Sequence, residues 1–269
     1  MTRKYLDKYH YSLILLRELV ITDFKLRYQG SALGYVWSLL RPLALFAILY
    51  IVFVKFLPVV SDAIPHYPVY LLMGIVVWNY FSEVTNNGVG AIVGRGDLIR
   101  KLNFPKYVIV LAGSLSALIN LGLNTIVIAV FAMLSGIDMS VSAIWAPILI
   151  IELFVFSLSV AFLLSVLFVK LRDVNYIWEV IMQGAFYATP IIYPINIIPV
   201  IAQKILILTP PAQIMQDLRH IIVTPHAATI GTIYGTEWMR LVPLGFVALF
   251  AFFAMWYFKR NSKGFAEEV

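Results

Sequence analysis

The chain has 269 residues, of which 61% are hydrophobic and 13% charged, with formal net charge +6 and mean hydropathy +0.89. A soluble domain carries about a quarter charged residues, so a water-facing surface is excluded, and the length leaves room for one membrane domain and no sizeable soluble one. There is no cysteine, which removes disulfides, thiolate chemistry and cysteine–zinc sites; the basic residues lie in short connectors between apolar runs, which encodes orientation in a bilayer rather than nucleic-acid binding.

The start, Met1 to Tyr11, is charged and aromatic and lacks the basic, apolar and small-residue layout of a signal peptide, so no cleaved leader is expected. Over residues 10–30, Leu13, Leu16, Val20 and Phe24 recur at helical spacing opposite Glu18, Thr22, Lys25 and Gln29. That spacing predicts an amphipathic helix along the cytosolic interface, with a plain juxtamembrane helix as the other reading.

Apolar stretches of about 17 to 25 residues match the length a helix needs to cross about 30 Å of hydrocarbon. They predict six spans: Trp37 to Leu57, Tyr70 to Val93, Tyr107 to Leu134, Ile144 to Val169, Tyr176 to Ile192 and Leu241 to Phe258. Gly94 to Lys106 is a basic connector. Of 20 Lys and Arg residues, 16 fall in the segment through Arg41, in Gly94–Lys106, in Lys170–Asn175 and after Phe258. That face is expected to be cytosolic, which puts both termini there.

Residues 190–236 do not read as a simple loop. Ile195 to Leu208 is apolar, too short to span, and bracketed by Pro190, Pro194, Pro199, Pro210 and Pro211. A seventh span would carry Lys259, Arg260 and Lys263 outside, so a re-entrant helical hairpin on the outer side is expected. It either lines a wet cavity or caps the bundle as a lid. The fold class is thus an all-α integral membrane protein, a single domain over 1–269, with six transmembrane helices, the 10–30 interface helix and the outer hairpin.

No G-x-x-x-x-G-K-[ST] loop occurs, and Gly88, Gly90, Gly94 and Gly96 lack its spacing, so nucleotide hydrolysis by this chain is not expected. His10, His66, His220 and His226 are scattered, although the last two could meet in space; metal is not expected. Glu83, Glu152 and Glu179 fall within spans, where carboxylates are costly. Glu152, the deepest, reads either as a proton-relay residue or as a helix–helix hydrogen-bonding group. Asn120 and Asn124 read as interhelical glue or a polar channel wall, and Gly30/Gly34 and Gly90/Gly94 are weak small-xxx-small pairs. Tyr35, Trp37, Tyr70, Trp78, Tyr80, Tyr176, Trp178, Tyr187 and Tyr193 cluster near the ends of the first, second and fifth spans. They suit either an interfacial belt or a path on which sugar rings stack and slide.

The run Leu16-Arg17-Glu18-Leu19-Val20, with Asp23-Phe24-Lys25-Leu26-Arg27-Tyr28-Gln29-Gly30-Ser31-Ala32-Leu33-Gly34-Tyr35-Val36-Trp37-Ser38-Leu39-Leu40-Arg41-Pro42, resembles the N-terminal signature of ABC-2 type permeases that export cell-surface polymers: teichoic acid, O-antigen and capsule. Supporting matches are Asp97-Leu98-Ile99-Arg100-Lys101-Leu102-Asn103-Phe104-Pro105, Arg172-Asp173-Val174 and Tyr187-Ala188-Thr189-Pro190-Ile191-Ile192-Tyr193. The chain departs at Thr209-Pro210-Pro211, where the family commonly has Asn-Pro.

The resemblance implies a homodimer in the bacterial cytoplasmic membrane, inner or sole, joined by two copies of a separate ATP-binding subunit that holds ATP and Mg. No cofactor is implied on this chain. A polyprenyl-diphosphate head group would enter beside Leu33 and Gly34 with Arg27 and Arg41 as partners, although those two arginines suit snorkelling to lipid phosphates equally well. Tyr35, Trp37, Trp78, Tyr80, Trp178, Tyr187 and Tyr193 would line the polymer path, on walls from the first, second and fifth spans. Asp97, Leu98, Ile99, Arg100, Lys101, Phe104 and Pro105 would dock the ATPase. The rivals are an ABC-2 permease for drugs or other lipids, an intramembrane enzyme acting on polyprenyl phosphate, which needs a clustered acid/base or metal set, and a proton-coupled carrier using Glu152.

Overall fold

A computed structural model describes residues 2–28, 33–56, 64–102, 104–138 and 141–268, without the side chains of residues 2–10, 24, 26–28 and 35. It is helical with no strand among the described residues, as expected for an all-α membrane protein. The helices, numbered here in chain order, are α1 (Thr2–Tyr28), α2 (Trp37–Tyr50, extended by a π-helical turn Ile51–Phe56), α3 (Tyr67–Gly90), α4 (Gly96–Lys101), α5 (Tyr107–Leu134) and α6 (Ala146–Lys170). They continue with α7 (Val174–Ala188), α8 (Val200–Ile207), α9 (Pro210–Ile222), α10 (Ile230–Tyr234), α11 (Leu241–Asn261) and α12 (Phe265–Glu268).

Among the described residues, four segments are long and apolar enough to cross a bilayer: Trp37–Phe56, Tyr107–Leu134, Val141–Lys170 and Glu237–Asn261. They correspond to the expected first, third, fourth and sixth spans. Helix α3, the expected second, has the length but carries Asn79, Ser82, Glu83, Thr85, Asn86 and Asn87. It sits in the middle of the molecule, packed by α2, α5, α6, α7 and α9, with Val69, Leu71 and Ile75 fully buried. Protein rather than lipid surrounds it, which is where intramembrane polar groups are tolerated.

The expected fifth span, Tyr176 to Ile192, is cut short. Helix α7 ends at Ala188 and Thr189 turns extended, at ψ 138°. Pro190 accounts for this: it supplies no N–H and disfavours the α conformation in the residue before it. Fifteen residues rise only about 22 Å.

Residues 200–222 form a helical hairpin, as the prolines suggested. Helices α8 and α9 meet at Leu208–Thr209, and Pro210 and Pro211 occupy the first turn of α9, where a missing N–H removes no hydrogen bond. Helix α9 is buried along Pro210 to Arg219 against α3 and α6. A satellite core of Ile195, Ile207 and Ile230 holds α8 to α10. Within this shell Gln213 Nε2 donates to Asp217 Oδ2 at 2.8 Å, and Arg240 approaches the same carboxyl at 3.6 Å. Burial pushes the Asp217 carboxyl above the usual range despite both contacts. Glu152, buried on α6, lies beside Gln213 and Asp217 of α9.

Arg219 is wholly buried and cationic, yet its hydrogen bonds go to carbonyls: Nε to Tyr70 at 3.1 Å, Nη1 to Pro190 at 2.6 Å and Nη2 to Ile191 at 2.7 Å. Its guanidinium also stacks on the Tyr70 ring, 3.5 Å from the centroid. Gly74, one turn along from Tyr70, leaves the space: a Cβ there would overlap Arg219 Nη2. A second close approach is Gly88, where a Cβ would fall within 2.7 Å of the Ala161 Cα on α6. The expected pair Gly90/Gly94 has open space instead.

Replacing Arg219 with Met strands buried carbonyls, at about 1–3 kcal/mol for the unsatisfied groups, and Gly74→Ala displaces the same guanidinium. Both variants are expected to melt well below wild type in detergent, with the double variant little worse than the worse single one. Additive losses in that cycle would mean that the two residues do not act on one contact.

Candidate functional site

Between α2, α3 and α5 lies a groove of about 920 Å³. From α2 it is lined by Trp37, Ser38, Arg41, Pro42 and Leu45; from α3 by Val76, Asn79, Tyr80, Ser82, Glu83, Asn86 and Asn87; from α5 by Asn120, Leu121 and Asn124. On α3 the polar positions 79, 82, 83, 86 and 87 repeat at three and four residues, so they fall on one helical face. The opposite face, with Trp78, Phe81 and Thr85, turns to α6 and α7.

The groove is held open by local chemistry. Pro42 cannot donate to the Ser38 carbonyl one turn back; Asn124 Nδ2 reaches that carbonyl instead at 3.4 Å, while also bonding the Asn120 carbonyl at 2.8 Å. One turn down α5, Asn120 Nδ2 donates to Glu83 Oε1 at 2.9 Å. Asn86 bonds Ser82 Oγ at 3.1 Å within α3. The Tyr80 hydroxyl and Asn120 Oδ1 are buried and have no hydrogen-bond partner among the described residues.

Below the groove, and sharing Asn87 with it, a smaller cavity of about 230 Å³ runs between Asp23, Gly90, Ala91, Gly94, Arg95 and Gly113. Here Arg95 pairs with Asp23, which ties α1 to the turn joining α3 and α4. Helix α1 packs on α5 through Leu15, Leu16, Leu19 and Val20. Its buried face is rotated from the expected one, since Leu13 is exposed and Leu19 buried. Leu13 and Ile14 offer an outer apolar face beside Arg17 and Lys25, as an interface helix needs.

The expected site residues separate into groups. Trp37, Arg41 and Tyr80 meet in the groove. Gly34 takes φ +50° at the joint before α2, a conformation other residues resist, beside an exposed Leu33. The side chains of Arg27 and Tyr35 lie outside the described residues. Trp78 is buried against Phe81 and Phe186, and Trp178 Nε1 donates to Thr85 Oγ1 at 3.3 Å. Tyr187 is exposed, and the Tyr193 hydroxyl donates to the carbonyls of Tyr187 and Ala188. None of these four lines the groove, whose third wall is the third span and not the fifth.

In the basic connector, Gly96–Lys101 is helical. Asp97, Arg100, Lys101 and Leu102 are exposed, Leu98 and Pro105 are half-buried, and Ile99 and Phe104 are buried, so the last two anchor the element to the body. Asn103 lies outside the described residues. The reading from sequence missed Asn79, Asn86 and Asn87, whose spacing from Glu83 marked one polar face. No three His, Cys, Asp or Glu come together among the described residues.

Comparison with known proteins gives a consistent answer. The family model described as ABC-2 type transporter matches residues 15–223. An O-antigen export system permease protein RfbA from Klebsiella pneumoniae is 32% identical over 197 residues, covering 71% of this chain and 75% of that protein. One of the same name from Myxococcus xanthus is 30% identical over 198 residues, covering 74% and 75%.

Because the chain lacks cysteine, single-cysteine variants are clean probes of the groove. Ser82→Cys and Asn86→Cys are expected to react with a water-soluble maleimide in the purified protein, and Ser157→Cys, fully buried in α6, at least about tenfold more slowly. Rates at Ser82→Cys and Asn86→Cys as slow as at Ser157→Cys would show that the groove is closed to water.

Proposed function

Since the chain belongs to the ABC-2 type transporter family, we propose that it is the channel-forming permease subunit of an ATP-driven exporter that moves a polyprenyl-diphosphate-linked cell-surface polymer across the bacterial cytoplasmic membrane. The polymer is of O-antigen, teichoic acid or capsule type, and the names of the relatives favour the first. The observation that carries the reading is the groove: a polar trough of about 920 Å³ alongside three helices of a membrane protein. A membrane protein that only needed to fold would fill that volume with apolar side chains, because each buried polar group is costly there.

The chain works as a homodimer with two copies of an ATP-binding subunit, which supplies ATP, Mg and hydrolysis. Orientation follows the cationic connectors, so both termini and α4 are cytosolic. Asp97, Arg100 and Lys101 stand exposed on a short helix whose Ile99, like Phe104 beyond its end, is sunk into the body, which makes α4 a projecting handle rather than a slack loop. The Arg41 guanidinium, on the groove wall near the start of α2, suits a diphosphate head group.

Deleting the chain is expected to remove the surface polymer and leave its lipid-linked form inside the cell, and plugging Ser82→Cys with a bulky maleimide should do the same. The charge reversals Arg100→Glu and Lys101→Glu together are expected to cut co-purification of the ATPase by about tenfold, roughly 1.4 kcal/mol, while leaving membrane insertion unchanged. Normal surface polymer after complete plugging would refute the path.

A further inference from the structure

Carboxamides dominate the groove: Asn79, Asn86, Asn87, Asn120 and Asn124 all line it. Each offers two donors and an acceptor and is expensive to hold away from water. The bonds within the protein use them partially. Asn120 and Asn124 each tie α5 to a neighbouring helix through Nδ2, but Asn120 Oδ1 has no partner among the described residues, although the residue is only 6% exposed. The Tyr80 hydroxyl is in the same position, in a residue 2% exposed. Asn86 reaches no further than Ser82 on its own helix.

The lining contains one carboxylate, Glu83, and one guanidinium, Arg41, so its formal charges cancel. A polyol-phosphate chain carries a negative charge at every repeat. Recognition of phosphate relies on charge-assisted donors, Arg and Lys above all, and a charge taken from water without such a partner costs several kcal/mol. A glycan needs the opposite provision: many neutral donors and acceptors that exchange hydroxyl partners as the chain advances. Accepting for this purpose that the groove is the export path, we propose that it takes uncharged, hydroxyl-rich glycan and disfavours polyol-phosphate chains, with Asn120 and Asn86 as the specificity-determining contacts.

The test uses the full-length Ser82→Cys chain in lipid nanodiscs, timing maleimide labelling with and without a neutral mannose oligosaccharide or a glycerol-phosphate oligomer of equal length. The oligosaccharide, supplied at about four times its dissociation constant, is expected to slow labelling about fivefold, and the glycerol-phosphate oligomer at the same concentration to leave it unchanged. Asn120→Ala and Asn86→Ala should each remove most of the protection; Asn120→Gln, which keeps the amide, should retain part of it and guard against a folding defect. Equal or stronger protection by glycerol phosphate, or protection by neither, overturns the proposal. Failure of the export path is read separately: surface polymer that persists after plugging refutes the path whatever the protection assay returns, whereas loss of polymer on plugging with a groove that prefers glycerol phosphate refutes the specificity alone.

Discussion

Helix α7 stops at Ala188 because Pro190 follows, and the carbonyls of Pro190 and Ile191 are then left without helical N–H partners. Backbone in that state survives within a membrane protein only if something polar is brought to it. Arg219 is what is brought. Its planar fork donates to both carbonyls and, through Nε, to Tyr70 on α3, a three-point match that the compact ammonium of lysine could not make. The absence of a side chain at Gly74 lets the guanidinium reach the α3 backbone. One side chain therefore fixes α9, the break after α7 and the outer end of α3 in a single contact, and Tyr67 adds a bond to the Ile192 carbonyl at 2.8 Å.

With that end pinned, α3 can be more polar than the four bilayer-length spans. Its Gly88 side closes on Ala161 of α6, the near approach of backbones that small residues allow where no hydrophobic effect drives helices together. That fixes its rotation about its own axis, and the rotation aims the stripe from Asn79 to Asn87 at α2 and α5. The groove is the consequence: it exists because α3 packs apolar on one side and is held off its neighbours by amide contacts on the other. Pro42 belongs to the same arrangement, since the hydrogen bond it removes is replaced by Asn124 from α5, so the first span is attached at the site where its own helix is weakest.

Much of this was legible in the sequence wherever a single segment carried its own signal. Lengths of apolar stretches placed the first, third, fourth and sixth spans, proline spacing announced the hairpin, and Trp37 and Tyr80, read as path residues, and Arg41, read as a head-group partner, fall in one groove. What was not legible depended on pairs of segments. Counting cations by segment left Arg219 among the four outside the basic connectors, although it is the contact that joins α9, α3 and the break after α7. Gly90 and Gly94 matched a small-residue pattern, but Gly88 makes the approach, because helix rotation is set by Ala161 across the gap. On α1 both Leu13 and Leu19 suit an apolar face, and only packing on α5 selects the second. The aromatic cluster divided for the same reason: Trp78 and Trp178 are on the far side of α3 from the groove.

The end of the molecule that carries α4 has a connected path along which movement would reach that groove. Helix α4 is joined to α3 by one 3₁₀ turn, Val93–Arg95, and Arg95 of that turn holds Asp23 on α1. Its other flank rests against α12, where Phe265 is buried against Phe258 at the end of α11. A displacement applied to α4 therefore cannot be absorbed by slack chain. It passes to α3 and α1 together, and both pack on α5. Because the groove lies between α2, α3 and α5, the walls that would move are the ones that carry the asparagines, and a change of their spacing by a fraction of a helical turn is the kind of discrete repacking that close-packed helices permit.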